Sequence, residues 1–195
     1  MSICVYLWLI NFEFTHPYVM KQPAVFVDRD GTLIEEVNYL SRVEDLRLFP
    51  FTATAVRLLK DSGFLVIVVT NQSGIGRGIY TEVEMQAIHE AIQSELSGAI
   101  DAFYFCPHLP DAGCICRKPR TGMIESAVAD FDIDLSNSWM VGDKKSDVET
   151  GLLADIQNAL VLTGYGAQHH LLLEHKPDIL APDLARAAAS IVNRG

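Results

Sequence analysis

Two aspartates separated by a single residue are the most distinctive feature of the sequence. Asp28 directly follows the apolar run 24–27, and Asp30 precedes Gly31, which permits a tight turn. Carboxylates this close repel each other unless a cation or a shared proton relieves them, which indicates a bound divalent metal. Hard oxygen ligands favour Mg²⁺ over softer ions. The alternative interpretation is an exposed acidic turn without a ligand.

Three cysteines and one histidine are crowded into eleven residues, at Cys106, His108, Cys114 and Cys116. Four soft or borderline ligands with no open position match a tetrahedral Zn²⁺ site of structural role. The C-x-H and C-x-C spacings are tighter than common zinc motifs, so a strained Cys114–Cys116 bridge and a loop of free thiols remain alternatives. The basic run 117–120 follows directly, and we expect the zinc to anchor it.

The elements that must position these residues alternate between short β-branched runs and longer amphipathic stretches, as in a parallel sheet wrapped by helices. The run 64–69 lacks apolar–polar alternation, so both of its faces should be covered. Thr81 and Glu84 form a capping-box pattern that predicts a helix to about residue 96. Strands are predicted at 24–27, 64–69, 102–105, 138–141, 159–162 and 178–180. Further helices are predicted at 52–61, 123–130, 146–154 and 182–192. Pro182 would lie in the first turn of the last helix.

Polar residues follow the carboxyl ends of successive predicted strands. Asp28, Thr70, Cys106 and Asp143 each come directly after such a strand. In an open α/β sheet the ligand crevice lies at those ends. The sequence therefore predicts an α/β, Rossmann-like single domain, with helices on both faces of a central parallel sheet and its chemistry at one edge.

Four short motifs follow one another over residues 24–162: D-R-D-G-T, T-N-Q-S-G, a later lysine and G-D-x-x-x-D. Their order resembles that of the haloacid dehalogenase (HAD) superfamily of phosphatases. The resemblance implies that Asp28 is a nucleophile that becomes an aspartyl-phosphate, and that Asp30 is the general acid and base. It also implies that Thr70 and Lys118 hold the phosphoryl oxygens, where a hydroxyl and an ammonium can stabilise the spreading charge.

The same resemblance implies the metal ligands. Asp143 would complete a Mg²⁺ site with Asp28 and Asp30, with help from Asp147. A receiver module that accepts a phosphoryl group also uses a doubly wound sheet, an acceptor aspartate, Mg²⁺, a threonine and a lysine. Receivers take the acceptor from a different strand than the acidic pair, whereas here both aspartates follow one strand.

The segments C-P-H, C-x-C-R-K-P and T-N-Q-S-G-I-G-R-G narrow the resemblance to the D-glycero-D-manno-heptose 1,7-bisphosphate 7-phosphatases. This implies Mg²⁺-dependent removal of the 7-phosphate of a small sugar bisphosphate, in ADP- or GDP-heptose synthesis for the lipopolysaccharide core. The short segment 109–113 is similar to the histidinol-phosphatases, so histidinol phosphate or another phosphomonoester remains an alternative. The residues implied to lie near the substrate are Glu36, Val37, Asn38, Tyr39, Asn71, Gln72, Ser73, Arg117 and Lys144.

The expected domain organisation is simple. Residues 1–22 are expected to be an N-terminal extension that carries no chemistry, with the native chain starting near residue 20, and 23–195 to form the HAD-like domain with the zinc loop 106–116. Only forty-one residues separate Asp28 from Thr70. A helix and a strand use most of them, so we expect no large cap domain.

The composition sets the remaining limits. The chain has 195 residues, 49% of them hydrophobic, and a formal charge of −10. This is enough for one domain with a buried core, and the negative charge argues against nucleic acid as a partner. The apolar run 3–10 is too short for a bilayer, which needs about 20 residues. The cysteines do not suggest a secreted disulfide framework, so we expect a cytoplasmic protein, and a monomer without a membrane partner.

Overall fold

A parallel sheet forms the centre of the computed structural model, which describes residues 21–194. Its six strands are β1 Ala24–Val27, β2 Leu65–Asn71, β3 Ala102–Cys106, β4 Trp139–Gly142, β5 Gln157–Val161 and β6 Ile179–Ala181. They lie in the order β3-β2-β1-β4-β5-β6, and every neighbouring pair is parallel. The order reverses direction at β1, so a crevice opens between the ends of β1 and β4.

Seven helices of the described region connect these strands. They are α1 Thr52–Asp61, α2 Ser73–Gly76, α3 Glu82–Glu95, α4 Gly122–Asp130, α5 Lys145–Leu153, α6 Gly166–His169 and α7 Leu184–Val192. Short 3₁₀ turns occur at Val43–Asp45, Leu135–Asn137 and His170–Leu172. The predicted capping box starts α3: the Thr81 hydroxyl accepts from the Glu84 backbone N–H at 3.2 Å, and the Glu84 carboxylate accepts from the Thr81 N–H at 2.7 Å.

Alternate residues of the central strands divide the core into two layers. Val25 and Val27 of β1 pack in the layer that contains residues of α1, α3 and α7. Ala24 and Phe26 pack in the opposite layer, with residues of α4. All four residues of β1 are buried, because helices cover both faces of the sheet. The predicted α/β fold with a central parallel sheet is therefore confirmed.

Three predicted positions are wrong in detail. Thr70 and Cys106 lie within the ends of β2 and β3 instead of after them, because the two strands stay paired as far as Asn71 and Cys106. Pro182 lies before the last helix, since the Asp183 side chain caps α7 by accepting from the Arg186 N–H at 2.9 Å.

The segments flanking the first strand are compact. Between β1 and β2 the chain forms one 3₁₀ turn and α1, with no cap domain in this segment. Gln22 belongs to the predicted extension, but its backbone is hydrogen-bonded to the domain. Its N–H donates to the Asp132 carbonyl at 3.0 Å, and its carbonyl accepts from the Asp134 N–H at 2.9 Å. Residues 1–20 of that extension lie outside the described region. Within residues 21–194, no helix has the length and apolar character needed to cross a membrane.

Candidate active site

Three buried aspartates meet at the crevice between β1 and β4. Asp28 follows β1, Asp143 follows β4, and Asp147 lies in the first turn of α5; one carboxylate oxygen from each lies within 4.8 Å of the others. We call this group the acidic centre. The backbone N–H of Asp28 donates to Val141 at 2.9 Å, which continues the pairing of the two strands into the site. Strand register therefore fixes the distance between Asp28 and Asp143.

Two lysines lie against the acidic centre. Nζ of Lys118 lies 2.9 Å from Asp28 and 2.6 Å from Asp147, as ion pairs in which neither contact has the angles of a hydrogen bond. Nζ of Lys144 lies 3.5 Å from Asp143 and 3.8 Å from Asp28. Burial opposes ionisation of Asp28, but the ammonium groups of Lys118 and Lys144 hold its pKa below the usual value. Asp28 is therefore an ionised carboxylate.

Asp143 behaves differently from Asp28. Burial, together with the charges of Asp28 and Asp147, raises the pKa of Asp143 to about 8 even though Lys144 opposes the shift. Its Oδ1 is buried and has no hydrogen-bond partner among the described residues. A cation would satisfy that oxygen and favour the charged carboxylate. The donor set therefore fits a divalent metal with hard oxygen ligands.

Two glycines form a floor under the other oxygen of Asp143. A Cβ built on Gly31 or on Gly164 would lie 2.3 Å from Asp143 Oδ2, and both residues have positive φ. The same oxygen accepts from the Tyr165 N–H at 2.8 Å, and the Thr163 hydroxyl donates to the Gly31 carbonyl at 2.6 Å. This floor leaves Oδ1 as the oxygen that is free for a ligand.

The Asp30 side chain does not join the acidic centre, which differs from the expectation that its carboxylate binds the metal. Both of its oxygens are held by Arg29, at 3.0 and 2.9 Å, and Oδ2 also accepts from Gln72 Nε2 at 2.8 Å. Its backbone carbonyl is the oxygen that faces the centre, 3.5 Å from Lys144 Nζ. The turn after Asp28 sends the two carboxylates in different directions.

A cleft of about 320 Å³ opens above the acidic centre. Its volume suits a small polar ligand. All the residues predicted for catalysis and substrate contact line it: Asp28, Asp30, Glu36, Val37, Asn38, Tyr39, Thr70, Asn71, Gln72, Ser73, Arg117, Lys118 and Lys144. Four residues that sequence analysis did not single out also line it: Arg29, Leu40, Tyr80 and Ser146.

Ion pairs and hydrogen bonds connect cleft side chains from different segments of the chain. Lys144 Nζ lies 3.3 Å from the Glu36 carboxylate. Burial raises the pKa of Glu36, although Lys144 opposes this. The Asn71 side chain accepts from the Lys118 N–H at 3.0 Å and donates to the Lys118 carbonyl at 3.2 Å. Asn71 therefore fixes the backbone that carries Lys118.

Cys106, His108, Cys114 and Cys116 bring one ligand atom each to within 4.8 Å of the others, and we call them the thiol cluster. Cys106 Sγ lies 3.5 Å from both His108 Nδ1 and Cys114 Sγ, and His108 Nδ1 lies 3.3 Å from Cys116 Sγ. Ligands bonded to Zn²⁺ at about 2.0 to 2.3 Å in a tetrahedron stand about 3.3 to 3.8 Å apart. The spacing fits a closed zinc site, and these three cysteines are free thiols.

Arg29, Tyr80 and His89 are three polar residues that sequence analysis missed. Arg29 is only 1% exposed although it stands between two aspartates. A basic residue between two aspartates, two positions after the end of a buried strand, was the signal that could have identified it. His89, in α3, contacts Arg29 from outside the cleft, and nothing in the local sequence distinguishes it from an ordinary core histidine.

Comparisons with known proteins agree with this geometry. A family model described as HAD-hydrolase-like matches residues 115–187. The D-glycero-D-manno-heptose-1,7-bisphosphate 7-phosphatase of Thermosynechococcus vestitus is 42% identical over 188 residues, which cover 86% of this chain and 94% of that protein. The D-glycero-beta-D-manno-heptose-1,7-bisphosphate 7-phosphatase of Pseudomonas aeruginosa is 34% identical over 179 residues, covering 89% of this chain and 99% of that protein.

Solved structures give the same result. The crystal structure of D,D-heptose 1,7-bisphosphate phosphatase from B. bronchiseptica, complexed with magnesium and phosphate, superposes with a TM-score of 0.83 at 28% identity. The match covers 89% of this chain and all of that one. With the motif order, the acidic centre and these relatives taken together, the chain belongs to the HAD superfamily of phosphatases, in the family of the heptose-bisphosphate phosphatases.

Proposed function

We propose that the protein is a Mg²⁺-dependent phosphatase that removes the 7-phosphate of D-glycero-D-manno-heptose 1,7-bisphosphate through an aspartyl-phosphate on Asp28. The observation that carries the proposal is an ionised carboxylate at the bottom of a polar cleft, between the ammonium groups of Lys118 and Lys144. A carboxylate nucleophile divides one displacement into two easier steps. The related heptose-bisphosphate phosphatases support the substrate.

In the first step, a carboxylate oxygen of Asp28 attacks phosphorus and the bond from phosphorus to the sugar oxygen breaks. The leaving oxygen takes the proton of Asp30, whose carboxyl group lines the cleft. Thr70 and Lys118 also line the cleft, where they stabilise charge on the equatorial phosphoryl oxygens. The product of this step is a dephosphorylated sugar position and a phosphorylated Asp28.

In the second step, water attacks the phosphorus of the acyl phosphate and gives its proton to Asp30. The bond between phosphorus and the Asp28 oxygen breaks, so that inorganic phosphate leaves and the Asp28 carboxylate is restored. Asp30 thus acts as acid and then as base at one position. Glu36, Asn38, Arg117 and Lys144 also line the cleft and supply polar groups for the sugar and its second phosphate.

We propose Mg²⁺ for the acidic centre, held by the carboxylates of Asp28 and Asp143 and by the backbone carbonyl of Asp30, with Asp147 behind them. The bound ion would neutralise charge on the transferring phosphoryl group. Asp147 contacts Lys118 closely and supports the position of that lysine. The orphaned Oδ1 of Asp143 is the structural support for this assignment.

We propose structural Zn²⁺ for the thiol cluster. The loop that carries it also carries Arg117, whose guanidinium donates to the His108 carbonyl at 3.3 Å, and Lys118. A closed zinc site would hold both basic residues at the cleft. Because thiolate ligands need a reducing environment, the cluster also supports a cytoplasmic location.

Initial rates on both anomers of the heptose bisphosphate, beside histidinol phosphate and with or without Mg²⁺, test this proposal. We expect Mg²⁺-dependent release of one phosphate from the heptose bisphosphate and much slower turnover of histidinol phosphate. A preference for histidinol phosphate would overturn the substrate, while activity that is unaffected by removing Mg²⁺ would overturn the metal assignment. The assay also determines which anomer is used.

A further inference from the structure

A buried arginine holds the acid and base of the proposed reaction. Arg29 binds both oxygens of Asp30, through Nε at 3.0 Å and Nη2 at 2.9 Å. The guanidinium is 1% exposed, and the Asp30 side chain is 15% exposed. This two-point pairing fixes the plane of the Asp30 carboxyl group.

Gln72 and Tyr80 support the same pair from the cleft wall. Gln72 Oε1 accepts from Arg29 Nη2 at 3.0 Å and from the Tyr80 hydroxyl at 2.5 Å, while its Nε2 donates to Asp30 at 2.8 Å. Gln72 Nε2 also donates to the Thr70 hydroxyl at 2.8 Å. Two of the three guanidinium nitrogens, Nε and Nη2, and both oxygens of Asp30 are therefore restrained from the cleft side.

The remaining nitrogen of Arg29 points away from the cleft, toward α3. Nη1 lies 3.3 Å from Nε2 of His89, which is 3% exposed and stacks on Phe103 with ring centroids 4.5 Å apart. A guanidinium can only donate, so Nε2 must accept and the ring must be neutral, with its proton on Nδ1. Burial and the Arg29 charge agree with this, because they lower the pKa of His89 to about 3.

We propose that His89 is a positioning residue for the proposed reaction: by accepting from Nη1 it fixes Arg29, which in turn aims the Asp30 carboxyl group at the leaving oxygen. His89 does not line the cleft and acts only through Arg29. This inference rests on the proposed function, since it needs Asp30 to transfer a proton. If the acceptor is lost, the buried Nη1 loses its partner and Arg29 shifts to recover one.

The structure predicts which step depends on His89. A misplaced Asp30 slows the breaking of the bond to a sugar oxygen, because that oxygen needs a proton as it leaves. Nitrophenolate is a good leaving group that needs no proton from Asp30. Misplacing Asp30 should therefore hardly change the rate of the first step with p-nitrophenyl phosphate. A general loosening of the fold would slow both esters alike.

The test compares His89→Leu, which removes the acceptor, with His89→Gln, whose amide oxygen can reach the position of Nε2. Ile88→Val, at the neighbouring buried position of α3, is the packing control. Rapid-quench rates of the first step should fall about tenfold for the heptose bisphosphate in His89→Leu, with an unchanged KM and little change for p-nitrophenyl phosphate. His89→Gln should retain most of the wild-type rate.

Equal slowing of both esters, or a His89→Gln variant as slow as His89→Leu, would overturn the inference. If His89→Leu does not fold, His89→Asn replaces it, because its shorter side chain keeps a polar group but cannot reach Nη1. Asp28→Asn separates the inference from the proposed function. An inactive Asp28→Asn with an unimpaired His89→Leu overturns the inference alone, and an active Asp28→Asn overturns both.

Discussion

The acidic centre and the thiol cluster each gather ligating side chains within 4.8 Å of one another, but they are built in opposite ways. The aspartates come from the ends of two strands and from α5, and the strand register brings them together. The thiol cluster comes from the last residue of β3, Cys106, and from the loop that follows it. The aspartates are fully buried, whereas His108 is exposed.

This difference separates two kinds of metal site. A site assembled by the sheet has its geometry fixed before any ion binds, and it opens onto a cleft where one coordination position can serve a substrate. A site assembled by one loop depends on its ion for its shape and has no open position. We therefore expect substitutions in the acidic centre to abolish the reaction and leave the fold intact. Substitutions in the thiol cluster should mainly destabilise the structure.

Asp28→Asn should give the largest effect. It removes the nucleophile while keeping the shape of the side chain, so we expect kcat to fall by about three orders of magnitude or more. Circular dichroism and zinc content should match those of the wild type. Asp61→Asn, at an exposed position of α1, is the matched control and should retain full activity. Near-normal hydrolysis by Asp28→Asn would contradict the nucleophile assignment.

Cys114→Ser should act through structure. Loss of one ligand should abolish stoichiometric zinc and lower the Tm by about 5 °C or more, as expected for about 2 kcal/mol in a domain of this size. Activity should fall about tenfold because Arg117 and Lys118 lose their anchor. Ile115→Ala, at an exposed position between two ligands, is the control for the loop. Full zinc occupancy in Cys114→Ser would disprove the ligand set.

The pH dependence of Mg²⁺ binding should show the proton that Asp143 carries. Its pKa of about 8 in the metal-free fold lies above the usual 3.8, so the folded protein binds a proton that the unfolded chain has lost. Metal-free stability should therefore fall as pH rises from about 4 to 8, and Mg²⁺ affinity should rise by at most about tenfold per unit until it levels above pH 8. Calorimetry in two buffers of different ionisation enthalpy measures the released proton. A pH-independent affinity between pH 6 and 8 would contradict this.

Asn71→Ala should give the smallest effect, because it breaks the connection between the two regions and leaves each one in place. The variant loses both hydrogen bonds to the Lys118 backbone. We expect about 1 to 2 kcal/mol less stability in urea unfolding and a few-fold lower kcat, with normal zinc content. A loss of zinc in Asn71→Ala would show that the two regions depend on each other more than their contacts indicate.

The fold and the residues of the acidic centre could be predicted because each has a local signal. Asp28 and Asp143 directly follow buried strands, and parallel strands bring their carboxyl ends to one edge. The cysteines are close in sequence, so their meeting requires only a bent loop. These predictions depend only on the position of a residue next to a strand end or on short distances along the chain.

The supporting network could not be predicted because it depends on side-chain direction and on distant contacts. Two aspartates after a strand predict a shared metal, but the turn at Gly31 sends the Asp30 carboxyl group to Arg29 instead. His89 lies sixty residues from Arg29, and a lone histidine on a helix predicts no partner. Only the packing of α3 against the sheet brings them together.

The glycines beneath Asp143 have a consequence for how relatives of this enzyme could diverge. A side chain at Gly31 or Gly164 would collide with the Asp143 carboxylate, so we expect a substitution at either position to displace that carboxylate and impair the reaction. Val37 and Asn38 also line the cleft, but both are exposed and neither contacts the acidic centre. New substrate preferences can therefore arise by exchange of such residues, and directed-evolution libraries should vary Val37 and Asn38 while both glycines stay unchanged.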